Sequence, residues 1–145
     1  MPNYCVNILV IDDLDPAFRE ILKQDGLRFN SLIPMPESAT YEELWAAWGT
    51  KWDVGEPEAA ADDLLRHGTV SFETAWSPPE RYLKALATTF PDQSFELYFL
   101  EEGYEFCGVI RYRAGLDEEV DLQYIEREFD AKGYDDFVAE LFGEG

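Results

Sequence analysis

A chain with 31 acidic and 11 basic side chains among 145 residues, a formal charge of −20, works against its own compaction. Like charges gathered into a folded state repel one another. Any fold it adopts must keep its carboxylates at the surface and draw its stability from apolar burial. The means are present: 46% of the residues are hydrophobic and 15% aromatic, with ten Phe, eight Tyr and four Trp. That content excludes global disorder. Most of the rings must pack, because each buries a large area and an exposed set would aggregate. One domain is the expectation for this length.

The charge is unevenly spread. Residues 1–36 carry −2 and residues 67–113 carry −3, whereas 37–66 carry −6 (eight acids, two bases) and 114–145 carry −9 (eleven acids, two bases). Anionic membranes and nucleic acid would both repel such a chain, which disfavours either as a direct, electrostatically driven ligand. The N-terminus, Pro2–Asn3–Tyr4, lacks the basic region of a signal peptide, and the apolar run Val6–Ile11 is too short to span a bilayer. A cytoplasmic protein is expected. Cys5 and Cys107 stand far apart, outside any CxxC or Cys/His cluster, and His67 is the single histidine. Two reduced, strand-embedded thiols are expected, with no zinc site and no metal.

Along the chain, Tyr4–Ile11 is an apolar, β-branched stretch bounded by Pro2 and Asp12–Asp13, a buried strand. Asp15–Pro16 marks a helix start whose apolar face is Phe18, Ile21 and Leu22, and Gly26 stops it. Leu27–Ile33 reads as a second strand. Residues 37–68 look like a helical insertion, with a capping box at Thr40 and Glu43, aromatic spacing through Tyr41, Trp45 and Trp48, a stop at Gly49, and a further turn near Ala59–Arg66. Thr69–Trp76 alternates as a strand. Ser77–Pro78–Pro79–Glu80 reads as a second capping box, with Ser77 as the cap of a helix presenting Tyr82, Leu83, Leu86 and Ala87. Ser94–Glu101 and Glu105–Arg113 form a hairpin about Glu102–Gly103–Tyr104, burying Phe95, Leu97 and Phe99. The tail shows two amphipathic helical patterns, Leu122–Ile125–Phe129 and Phe137–Val138–Leu141–Phe142, with Gly133 between them.

Without the insertion and the last strand this order is βαββαβ. The expected class is therefore α+β: a ferredoxin-like split βαβ sheet with one extra hairpin strand, a helical insertion and C-terminal helices. The expected domain covers 1–113, with the insertion at about 37–68 and an acidic helical tail, 114–145, packing on it.

Four strings carry a resemblance: Met1–Pro2–Asn3–Tyr4–Cys5–Val6–Asn7, Trp48–Gly49–Thr50–Lys51–Trp52–Asp53, Thr74–Ala75–Trp76–Ser77–Pro78–Pro79 and Glu102–Gly103–Tyr104–Glu105–Phe106–Cys107–Gly108. Over roughly residues 1–112 the chain resembles the YubB-like ferredoxin-like domain proteins of bacteriophages, prophages and conjugative plasmids. Tyr4 stands where many relatives have Trp. The resemblance implies a mobile-element origin and a ferredoxin-like fold, and no reaction.

No catalytic pattern competes. Ser77 lacks a glycine-flanked elbow and a nearby base. The acidic dyads, from Asp12–Asp13 to Asp135–Asp136, need not converge, since neighbours on a strand or helix diverge. There is no EF-hand loop and no phosphate-cradling glycine loop, so no cofactor is expected. Two binding surfaces remain. Trp48, Thr50, Lys51, Trp52, Asp53 and Trp76 could form an aromatic recognition surface or, alternatively, a Trp-lined pocket for a small ligand or nucleotide. Aromatics at helical spacing also serve as core, and Lys51 stands almost alone among acids. The acids of 37–66 and of the tail, notably Asp117, Glu118, Glu119 and Asp121, could imitate duplex phosphates and attract a basic protein. The leading expectation is a non-enzymatic phage or plasmid accessory protein that binds and inhibits a basic host protein. An anti-restriction or anti-CRISPR role by DNA mimicry, against a nucleic-acid-binding defence component, fits that charge.

Overall fold

The computed structural model describes residues 3–103, 105–116 and 119–143. In chain order the elements are β1 (Tyr4–Val10), α1 (Pro16–Asp25), one 3-10 turn (Phe29–Ser31), α2 (Tyr41–Trp48), α3 (Pro57–His67), β2 (Thr69–Ala75), α4 (Glu80–Thr89), β3 (Phe95–Glu101), β4 (Phe106–Tyr112), β5 (Asp121–Glu126) and α5 (Ala131–Phe142). The strands form one sheet in the order β2-β1-β3-β4-β5, and every neighbouring pair is antiparallel. Because β2 and β3 both oppose β1, they run in the same direction, and α4 connects them across it. That is a split βαβ unit, the signature of a ferredoxin-like α+β fold.

Strand alternation sorts the side chains into two layers. Cys5, Leu9, Val70, Phe72, Leu97, Phe99 and Ile110 are buried on one face, in a core closed by residues of α1 to α4. Val6, Ile8 and Tyr98 alternate onto the opposite face and are half-buried. There α5 packs across β4 and β5, with the Phe137 ring 6.3 Å from Tyr98. Both cysteines are buried free thiols. Burial pushes the Cys5 thiol up to about 12 and the Cys107 thiol up to about 11, so neither is a reactive thiolate at neutral pH.

Local chemistry sets the helix boundaries. Asp15 caps α1 by accepting the Ala17 N–H at 2.8 Å. Thr40 and Glu43 close the capping box of α2 reciprocally, each bond 3.1 Å long, and these bonds hold the Glu43 carboxyl below its usual range. Gly49 ends α2 at φ +89°, and a Cβ there would lie 2.9 Å from the Glu80 nitrogen, so α2 meets the start of α4 only through a glycine.

Three local expectations are overturned. Leu27–Ile33 is not a strand but contains the 3-10 turn, because the Asp53 carboxylate takes the Phe29 and Asn30 N–H groups that a ladder would need. Ser77 does not cap α4: its hydroxyl donates to the Gly49 carbonyl at 2.7 Å, and Pro79 occupies the cap position. The tail is not two helices. Leu122 and Ile125 lie in β5, which pairs with β4, and Gly133 sits inside the first turn of α5, donating to Asp130 at 3.0 Å. The tail thus contributes an edge strand to the sheet, and α5 covers its second face.

Candidate functional site

The site lies at the open side of the sheet, where β2 ends and the 49–56 segment passes its edge. Thr50 is fully buried, and its Oγ1 both accepts from the Ala75 N–H and donates to the Ala75 carbonyl, each at 3.0 Å. One threonine side chain here does the work of a neighbouring strand. Asp53 receives three N–H groups, from Phe29 (2.7 Å), Asn30 (3.1 Å) and Val54 (2.8 Å), and so nails the 3-10 turn to the segment. Trp48 is 5% exposed, donates its indole N–H to the Ile33 carbonyl at 2.9 Å and meets Phe29 edge-on at 5.9 Å. These three residues hold the scaffold. Asp53→Ala should cost about 2 kcal/mol, since hydrogen bonds to a charged group are among the strongest in a fold. Urea denaturation reads it as a lower midpoint with an unchanged slope.

The other three candidate residues, Lys51, Trp52 and Trp76, reach outward. Trp76 is 43% exposed and is the one described non-glycine residue with positive φ, +67°. A bulky residue in that region is strained by about 1–3 kcal/mol, and such strain gathers at functional positions. Its neighbours hold it there: Trp76 N–H bonds to the Asn3 carbonyl, Ser77 N–H to the Ala75 carbonyl, and the Thr74 hydroxyl to the Ser77 carbonyl. The Lys51 ammonium lies 3.2 Å from the centre of the Trp76 ring, a cation–π contact. Trp52 packs instead on Tyr4, with ring centroids 5.8 Å apart. Trp48, Lys51, Trp52 and Trp76 therefore do not line one pocket: Trp48 is core, Lys51 covers Trp76, and Trp52 joins Tyr4.

Beside Trp52 runs a groove of about 610 Å³ between α3 and β2. Tyr4 and Trp52 stand at its lining, Ala59 and Asp63 come from α3, and Ser71 and Glu73 come from the β2 edge. Glu56 adds a third acid. These edge residues escape sequence reading, although the exposed alternation Thr69–Ser71–Glu73 in β2 is the signal that could have exposed them. Glu73 also adds to the acid density nearby. Desolvation first, then the Glu73 and Glu101 charges, raise the Glu102 carboxyl above its ordinary value.

In the tail, Asp121 opens β5 opposite Arg111 and accepts from the Gln123 amide at 3.1 Å, and Glu119 is exposed. Asp117 and Glu118 lie outside the described residues. The two acidic segments occupy opposite faces, with α2 and α3 on the helical layer and α5 on the other. Among the described residues no group of three His, Cys, Asp or Glu side chains converges to hold a metal. No described helix is long and apolar enough to cross a membrane.

The split βαβ sheet with its helical layer defines a ferredoxin-like domain. Residues 47–140 match the family described as the ferredoxin-like domain in Api92-like protein, and the chain belongs to that family. No curated protein and no solved structure matches the chain.

Proposed function

We propose that this is a non-enzymatic, cytoplasmic accessory protein that binds a basic host protein and blocks its working surface. A phage or plasmid origin follows from the resemblance to YubB-like proteins and belongs to the proposal. The target class its charge fits is a host protein whose active face binds nucleic acid, such as a restriction or CRISPR-type defence component. One observation carries the reading: surplus acid is displayed on packed elements. Glu58, Asp62 and Asp63 are exposed on α3, and Asp135, Asp136 and Glu140 on α5. Carboxylates held on helices keep fixed spacings, as duplex phosphates do. Nearby cations pair with three of these acids, Arg28 with Glu58, Arg66 with Asp62 and Lys132 with Asp136, each at 2.9 Å, and the other three, Asp63, Asp135 and Glu140, carry the surplus.

A rigid partner meets one acidic face by contact, with an attraction that salt screens over about 8 Å at physiological ionic strength. Capture from a nuclease-treated bacterial lysate tests the proposal. Nucleic-acid-binding proteins should be retained at low salt and released by high salt or by competing duplex DNA. Retention of nothing, or retention indifferent to both, would overturn it. Reversing Asp117, Glu118, Glu119 and Asp121 to lysine should slow association with the captured protein about tenfold or more, with little change in dissociation. Unchanged kinetics remove the tail from the contact.

A further inference from the structure

We propose that the open edge of β2, with the groove between it and α3, takes up an extended lysine- or arginine-bearing segment of the partner as a sixth strand. The proposal rests on the reading above and specifies how the bound state is held. Ala75 turns its N–H and C=O away from β1, toward Thr50. Backbone direction repeats every second residue along a strand, so Glu73 and Ser71 turn theirs outward as well. Thr50 covers only Ala75. Among the described residues no loop or side chain takes up the outward amides of Ser71 and Glu73.

Native edges are ordinarily blunted by charged side chains, above all lysine, by proline, by a bulge or by a covering element. At its middle β2 has no lysine, proline or bulge, its full length pairs with β1, and its one charge, Glu73, repels an acidic strand but not a basic one. Beside it the 610 Å³ groove has room for the side chains of an added strand. Strand addition draws affinity from the ladder and selectivity from alternate side chains that enter the adjoining groove. Charge decides the occupant. The groove is lined by Glu56, Asp63 and Glu73 and by no lysine or arginine. Trp52 and Tyr4 offer faces on which aliphatic stems and cationic heads can lie. A second copy of this chain would set Glu73 near its own counterpart across a β2–β2 seam, where like charges oppose pairing.

The test uses the full chain and three synthetic, end-blocked octapeptides: alternating lysine and valine, alternating glutamate and valine, and the lysine peptide N-methylated at every backbone amide. The lysine peptide should bind and slow hydrogen exchange at the Ser71 and Glu73 amides about tenfold or more, while the glutamate peptide does not bind. N-methylation removes the donors needed for the ladder and should weaken binding about tenfold or more. The double variant Asp63→Lys, Glu73→Lys changes only exposed side chains and should invert the preference toward the glutamate peptide. Equal binding of the N-methylated peptide, or protection elsewhere than β2, overturns strand addition but leaves the salt-sensitive capture of a basic protein standing. Absence of lysine-peptide binding overturns it too, as does self-association of the chain through β2 in sedimentation. Failure of the lysate capture defeats the parent reading instead.

Discussion

Phe29→Ala is expected to remove about 3–5 kcal/mol of folding stability, the usual range for truncating a buried phenylalanine. The ring is completely buried and touches three others, Tyr82 at 4.7 Å, Trp48 at 5.9 Å and Phe72 at 6.0 Å. Those partners come from α4, α2 and β2, so a cavity at Phe29 loosens the joint between sheet and helices and not one element alone. A domain of this size has about 5–15 kcal/mol in all, and the loss should lower the thermal midpoint by about 10 °C or more. Calorimetry checks it. A shift of only a few degrees would show that the four rings do not form one packed unit.

Gly108→Val is expected to detach β5, at a cost above about 3 kcal/mol. A Cβ at position 108 would lie 2.1 Å from the Gln123 carbonyl oxygen and 2.7 Å from the Phe99 ring. The obstacle is partly backbone, so a rotamer change cannot relieve it. The bare glycine lets Tyr124 of β5 reach Phe99 at 5.3 Å and Phe106 at 5.4 Å, edge-on in both cases. Hydrogen exchange should show lost protection at residues 121–126 while the β1–β3 ladder stays protected. Equal loss in β1 would mean that the tail is integral to the whole sheet.

Much of this architecture can be read from residue pattern alone, because the signals are local. Asp15, the Thr40–Glu43 pair and Gly49 act within one helical turn of themselves, and Tyr82, Leu83, Leu86 and Ala87 fall on one side of α4 as spaced. The failures share a different cause. Leu27–Ile33 has strand composition, yet Asp53, more than twenty residues downstream, captures its amides. Leu122 and Ile125 keep helical spacing, yet β5 forms because Gly108 leaves a place for Tyr124. Both are settled by contacts between distant parts of the chain, which periodicity does not register.

The candidate site divides in the same way. Trp48, Thr50, Lys51, Trp52, Asp53 and Trp76 are conspicuous by type, but type does not tell inward from outward. The direction of each side chain depends on which strand edge the segment meets. The groove acids Glu56, Asp63 and Glu73 are three among 31 until β2 and α3 bring them together.

The placement of β1 also bears on how this molecule comes into being. It is made before the other strands of the sheet and is the middle one of the split unit, with Val10 against Thr69 and Tyr4 against Ala75 on one side and Cys5 against Glu101 on the other. Its apolar stretch waits, unpaired, until Thr69–Ala75 and then Phe95–Glu101 have been made. Pairings so distant in sequence make for slow, late closure and a window in which chaperones or neighbouring chains compete for the strand. The same dense charge that resists compaction keeps such half-made chains apart, so a cost to the finished fold becomes protection during its birth.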